Sequence, residues 1–132
     1  MSIDQWVFID TCMWVPYFAR GRSPTKDAVD SLLEEDRAAL IGPVLAEILC
    51  GFRKDSEADW VASALKGLHF LDMNWDDWRA AARLTRRLTA RGHSIPLTDC
   101  ALAAVAQRHK ATIFTIDPHF DLVPQLKWYR VE

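Results

Sequence analysis

Apolar residues in this chain come in two alternating arrangements. One is the short continuous run, as in WVFI (6–9), AALI (38–41), LHFL (68–71) and TIFTI (112–116). Runs this short, without polar alternation, predict strands buried on both faces. They place strands at Trp6–Asp10, Ala38–Ile41, Leu68–Leu71 and Thr112–Ile116, with a fifth at Lys127–Val131. Between the runs, apolar positions recur every three or four residues, which predicts helices. Pro24 suits the first turn of a helix through Glu35, with Ala28, Val29, Leu32 and Leu33 on its apolar side. Gly42-Pro43 opens a helix in which Val44, Ile48 and Phe52 share a face. Ser56 is expected to cap another through Lys66, with Glu57 and Asp59 in its first turn. The clearest helix, Asp76 to Arg91, points Trp78, Ala81, Ala82, Leu84 and Leu88 inward and stops at Gly92. An alanine-rich helix then runs from Thr98 or Asp99 to near Lys110. Strands alternating with helices predict an α/β fold with a parallel sheet covered on both sides.

Composition narrows the picture without redirecting it. A chain of 132 residues is expected to form one domain, spanning 1–132, with a proper core. Its net charge of −2 gives no global attraction to nucleic acid or membrane, so any such binding needs a local patch. No apolar run reaches the roughly 18 residues that span a bilayer, and the opening MSIDQW has no basic region of a signal peptide. The three cysteines, Cys12, Cys50 and Cys100, form no C-x-x-C pattern. A cytoplasmic protein with free, small, hydrophobic cysteines is expected.

Four carboxylates stand where chemistry is done in such folds. Asp10 ends the first strand and Asp117 the fourth, and open α/β sheets bind ligands beyond the carboxyl ends of strands where the strand order reverses. Glu47 lies about one turn into the helix after the second strand, and Asp99 begins the helix before the fourth. Asp99 alone reads as a helix cap and Asp117 before Pro118 as a turn residue. Apolar neighbours flank Asp10 and Glu47, where an unpaired charge is costly. Gathered together, the four would repel one another and raise each other's pKa, with no adjacent Lys or Arg to relieve it. A hard divalent cation relieves it, and oxygen ligands suit Mg²⁺ or Mn²⁺. Metal binding is the better reading of the set.

On these residues the chain resembles a PIN-domain ribonuclease, and specifically a VapC toxin of bacterial toxin–antitoxin pairs. FIDTCMW resembles the family's opening Asp-Thr/Ser strand, and LAEILCGFR its second block, with Glu47, Gly51 and Arg53. TDCALAAVA resembles the block in which Asp99 precedes an alanine-rich helix, and FTIDPHF the closing one, with Thr115, Asp117 and Phe120. The resemblance implies a three-layer α/β/α sandwich whose five-stranded parallel sheet has the order 3-2-1-4-5. It implies Mg²⁺- or Mn²⁺-dependent endonucleolytic cleavage of RNA, with Asp10, Glu47, Asp99 and Asp117 as the catalytic and metal-binding acids. Asp10 and Asp99 would be the direct ligands, with Thr11 and Thr115 as supporting hydroxyls. Cys12 departs from the family, which commonly has a small polar residue or Asn there. The implied partners are a cognate VapB-like antitoxin and a second toxin copy in a homodimer. A PIN nuclease of RNA processing and a silent PIN-fold binding module are the alternative functions. A haloacid-dehalogenase-like phosphatase would need an Asp where Cys12 stands, and a receiver domain a lysine after its late strand, where Pro118 and His119 follow Asp117.

Basic and aromatic residues supply candidate surfaces. Arg79, Arg83, Arg86, Arg87 and Arg91 share the polar side of one helix, as a solvated face or as a phosphate track. Arg20, Arg22, Arg53 and Lys54 are further RNA-binding candidates in loops or at helix ends. The stretch CMWVPYFA is apolar at every position from Cys12 to Ala19, more than one helix face can bury. Trp14, Tyr17 and Phe18 are therefore either packed under the next helix or exposed to a partner, and Pro16 should make this helix irregular. His119 is expected in a turn or at the surface, although it could approach a scissile phosphate.

Overall fold

The computed structural model describes residues 6–130. Strands β1 (Val7–Ile9), β2 (Ala38–Ile41), β3 (His69–Leu71), β4 (Thr112–Phe114) and β5 (Lys127–Trp128) form one sheet in the order β3-β2-β1-β4-β5. Every neighbouring pair is parallel, as the apolar runs and the resemblance led us to expect. Successive strand residues point to opposite faces, and all of β1 and β2 is buried, so helices cover both sides of the sheet centre. The edge strand β3 is only partly buried, with Phe70 half exposed. From β1 the chain works outward through β2 to β3, then crosses back to lay β4 on the other side of β1. The strand order therefore reverses between β1 and β4. The strands are shorter than the apolar runs: Trp6, Asp10, Leu68, Thr115 and Ile116 fall outside the pairing, and Val131 lies outside the described residues.

Among the described residues, six helices connect the strands: α1 (Thr11–Tyr17), α2 (Pro24–Glu34), α3 (Gly42–Cys50), α4 (Asp55–Leu65), α5 (Trp75–Ala90) and α6 (Leu97–His109). A 3-10 turn, Pro118–Leu122, follows β4. The α1 helix holds Pro16 and closes one residue later, so the proline marks its last turn. The α4 helix begins earlier than Ser56. Lys54 is its N-cap residue and makes no side-chain cap bond, so Ser56 sits inside the first turn and is not the cap.

The α5 helix is capped by Asn74, whose side chain accepts from the Asp77 backbone N–H at 2.8 Å while Asp77 accepts from the Asn74 N–H at 3.0 Å. This reciprocal box sets the helix start one residue earlier than expected. Asp77 also takes an inward position and is gripped by the Arg108 guanidinium of α6, with Nη2 at 2.9 Å from Oδ2. Burial raises the Asp77 pKa, but the Arg108 hydrogen bonds, the Asn74 N–H and the charges of Arg108 and His109 together outweigh it and hold the carboxyl below its ordinary value. Trp78, expected to face inward, is 45% exposed, because Asp77, Ala81 and Leu88 occupy the buried stripe. The α6 helix is buried from Asp99 through Ala106, and its small side chains let α5 and β4 approach closely. Among the described residues no helix is long and apolar enough to cross a membrane.

Candidate active site

The two strand-end acids meet through one hydroxyl. Asp10 leaves β1 as the N-cap residue of α1, with Oδ1 accepting from the Thr11 backbone N–H at 2.8 Å. Its Oδ2 accepts from the Thr115 hydroxyl at 2.9 Å and from the Cys12 thiol at 3.3 Å. Thr115 follows β4 directly, and its Oγ1 also accepts the Asp117 backbone N–H at 3.0 Å. One buried threonine thus ties the acid after β1 to the acid after β4. Cys12 stands in the position where the sequence leaves the family pattern. Its Sγ lies 3.3 Å from both Asp10 Oδ2 and Thr115 Oγ1, so the thiol completes the polar ring around Asp10. Burial raises its pKa above 9.0, which keeps it a protonated donor. Of the other cysteines, Cys100 is buried, as expected for a small hydrophobe, whereas Cys50 is exposed.

The helix-borne acids approach from the same rim. Glu47 on α3 accepts from the Thr11 hydroxyl at 2.9 Å and from the Thr98 hydroxyl at 3.0 Å, one on each carboxylate oxygen. It braces the first turns of α1 and α6 against α3. Asp99, in the first turn of α6, faces His119 Nδ1 at 2.9 Å, and the same nitrogen lies 3.2 Å from Asp117 Oδ1. Asp117 caps the 3-10 turn by accepting the His119 backbone N–H at 2.9 Å. His119 is in a turn, as its sequence neighbours suggest, yet its ring joins the acidic set. Thr98 and His119 are the members that sequence reasoning left outside the site. The T-D pair at 98–99 was the available signal for the first, while the second depends on a contact 20 residues away in sequence.

Charge accumulates here with little to offset it. Burial raises Asp10 above 3.8, and the Asp117 charge adds to this against the hydrogen bonds of Thr115, Cys12 and Thr11. Asp99 is pushed up to about 6, first by burial and then by Asp10 and Asp117, although the His119 hydrogen bond opposes the shift. His119 is raised above 6.5, chiefly by its hydrogen bond to Asp99. Among the described residues, His119 is the cationic side chain ion-paired with these acids. Also among the described residues, Asp99, Asp117 and His119 offer atoms that all lie within 4.8 Å of one another. Oriented carboxylates, mutually repelling and short of cations, are a donor set that fits a hard divalent ion. Glu47 fits such an ion less directly, since both its oxygens are engaged by threonines.

The surface candidates separate. Arg79 is exposed and pairs with Asp76 at 3.4 Å, and Arg83 is exposed on the same helix. Arg22 pairs with Asp27, with Asp30 at 3.8 Å. Arg20 and Arg53 are exposed, and Lys54 reaches Glu57 only at 4.0 Å. Trp14, expected as a partner-surface candidate, is instead a core residue at 1% exposure. The short α1 helix turns Met13 and Trp14 inward, and the indole packs against Tyr17 and Phe18 with ring centroids 5.6 and 5.9 Å away. Tyr17 is half-buried and donates to Asp30 of α2 at 2.7 Å. Phe18 is half-buried too and lines a groove of ≈ 290 Å³ with Phe52, Trp60 and Val61.

Comparison with known proteins places this arrangement. The PIN domain family profile matches residues 7–126. VapC ribonuclease Mb1587 of Mycobacterium bovis and ribonuclease VapC11 of Mycobacterium tuberculosis are each 34% identical over 124 residues, covering 91% of this chain and 92% of theirs. Similar solved structures include VapBC2 from Rickettsia felis bound to a promoter DNA fragment, with a TM-score of 0.78, 20% identity, and 96% of this chain and 98% of that one covered. VapC20 from Mycobacterium tuberculosis, described as a sarcin-ricin loop cleaving toxin, superposes with a TM-score of 0.70 at 16% identity, covering 89% of this chain and 95% of that one. The chain therefore belongs to the PIN-domain family, within its VapC ribonuclease branch.

Proposed function

We propose that this protein is a Mg²⁺- or Mn²⁺-dependent endoribonuclease, the toxin half of a toxin–antitoxin pair, restrained by a VapB-like antitoxin. The observation that carries the reading is the convergence of Asp10, Asp99 and Asp117 at the point where the sheet order reverses, with the carboxyls of Asp10 and Asp99 raised by burial and by their acidic neighbours. An anionic crevice of this kind repels a phosphodiester unless a cation intervenes. A bound divalent ion would acidify water and neutralise charge developing on the phosphate. Asp10, Asp99 and Asp117 would hold it. Thr115, Cys12 and the Thr11 N–H fix Asp10 in one orientation, so that carboxylate needs little reorganisation when the ion arrives. Glu47 acts as a positioning residue, holding the starts of α1 and α6, and with them Asp10 and Asp99, at a fixed separation.

RNA as substrate and a VapB-like peptide as partner are supported by relatives named VapC ribonucleases and by fold neighbours that are VapBC complexes. A second copy of the chain is the proposed oligomeric partner. Trp78 and Leu97, both about half exposed, line an apolar groove of ≈ 450 Å³ with Gly42, Pro43 and Ala46 that suits a self-complementary contact. A cytoplasmic location accords with an RNA substrate. The test is to map RNA ends after brief induction of wild type and of Asp99→Ala. New ends at defined sites only with wild type are expected. Identical end profiles from both would overturn the proposal.

A further inference from the structure

We propose that His119 is a direct nitrogen ligand of the cation held by Asp99 and Asp117, and that it gives this site a preference for Mn²⁺ over Mg²⁺. The inference rests on the metal-dependent reading above and deepens it. Its first support is geometric. Adjacent ligands on an octahedral ion with bonds of about 2.1 Å lie about 3.0 Å apart. His119 Nδ1 is 2.9 Å from Asp99 Oδ2 and 3.2 Å from Asp117 Oδ1, close to that separation for both pairs. All three donor atoms fall within 4.8 Å of one another, a triangle that one ion can cap.

The second support is that the backbone delivers the ring. Pro118 opens the 3-10 turn with its restricted φ, and the His119 N–H is held by Asp117 Oδ1 at 2.9 Å. Phe120, the next residue, is 1% exposed and anchors the turn in the core. A side chain merely attracted to two carboxylates would need no such support. The ring remains 37% exposed, so its far edge stays in water while Nδ1 faces the acids. Imidazole nitrogen is a softer donor than carboxylate. Mg²⁺ favours oxygen and retains its waters, whereas Mn²⁺ stands on the transition-metal affinity series and accepts both donor types. A ring that only oriented Asp99 by hydrogen bonding would strengthen both ions alike.

The test uses the full chain labelled with ¹⁵N-histidine and loaded with Mn²⁺ alone. Pulsed electron paramagnetic resonance should detect a histidine ¹⁵N coupling in wild type that is absent in His119→Gln. Calorimetric titration with Mn²⁺ alone and Mg²⁺ alone should show the Mn²⁺/Mg²⁺ affinity ratio falling roughly tenfold in the variant, on the scale of lost metal-site partners. The wild-type spectrum decides the matter even if the variant folds poorly. Bound Mn²⁺ without histidine coupling, or a coupling that persists in His119→Gln, would overturn the inference and leave the metal-dependent reading standing. Failure of the wild-type chain to bind Mn²⁺ at all would overturn both.

Discussion

At the scale of single residues, the Thr115 hydroxyl is both donor and acceptor. It donates to Asp10 and accepts from the Asp117 backbone, so replacing it with Val, which is nearly isosteric, removes both links while keeping the volume. Thr115→Val is expected to weaken Mn²⁺ binding and RNA cleavage by about 10- to 100-fold, the usual cost of losing an orienting partner at a metal site. Thr115→Ser should recover most of the loss, and equal rates for wild type and Thr115→Val would contradict the role. The acids also leave a mark on stability. Asp99 titrates at about 6 in the folded chain against 3.8 in the unfolded, and His119 is raised above 6.5. Both groups hold protons more tightly when folded, so their contribution is complete below the unfolded values and is lost as pH rises through the folded ones. His109, lowered from 6.5 by burial and by Arg108, acts in the opposite sense. The measurement is therefore a difference. In a chelator, the Tm of wild type should fall more steeply between about pH 4 and about pH 6 than that of Asp99→Asn, and saturating Mn²⁺ should remove the difference. Parallel slopes without metal would contradict it.

Among the elements, α5 shows where local sequence rules succeed and where they stop. Its apolar spacing and the Gly92 stop were legible, and Gly92 adopts the positive φ of +86° that a helix terminus favours. The N-x-x-D pattern of Asn74 and Asp77 is a readable capping signal, and it places the helix start at Trp75, one residue before Asp76. That Asp77 points inward could not be read locally, since its partner Arg108 lies 31 residues further on. The pair makes a clear prediction. Asp77 is 2% exposed, so Arg108→Ala strands a buried carboxylate and should cost about 3–5 kcal/mol, read from urea unfolding. A change within the noise of the measurement would mean that water compensates Asp77 in the variant. The same limit explains Trp14. Eight successive apolar residues said that one helix face could not bury them all, but which ones turn inward follows from how α1 packs on α2 and α3.

For the whole molecule, the parallel α/β class follows from continuous apolar strands alternating with helices, but the strand order does not. Periodicity gives no pairing partners, and the order 3-2-1-4-5 was available only through the family resemblance. That order is what brings Asp10 beside Asp117 and lets α3 and α6 bring Glu47 and Asp99 to the same rim. His119 escaped for the same reason as Arg108, a partner distant in sequence. The crevice is thus a property of topology, with charge supplied from separate elements that no local pattern connects. The central consequence of the proposed function is that cleavage should require both the acids and a divalent ion. The direct measurement is cleavage of a defined single-stranded RNA by purified wild type and Asp99→Asn, each with Mn²⁺ and with chelator. Cleavage by wild type with Mn²⁺, abolished by chelator and by Asp99→Asn while far-UV circular dichroism stays unchanged, is the predicted result. Undiminished cleavage in chelator, or by Asp99→Asn, would contradict it.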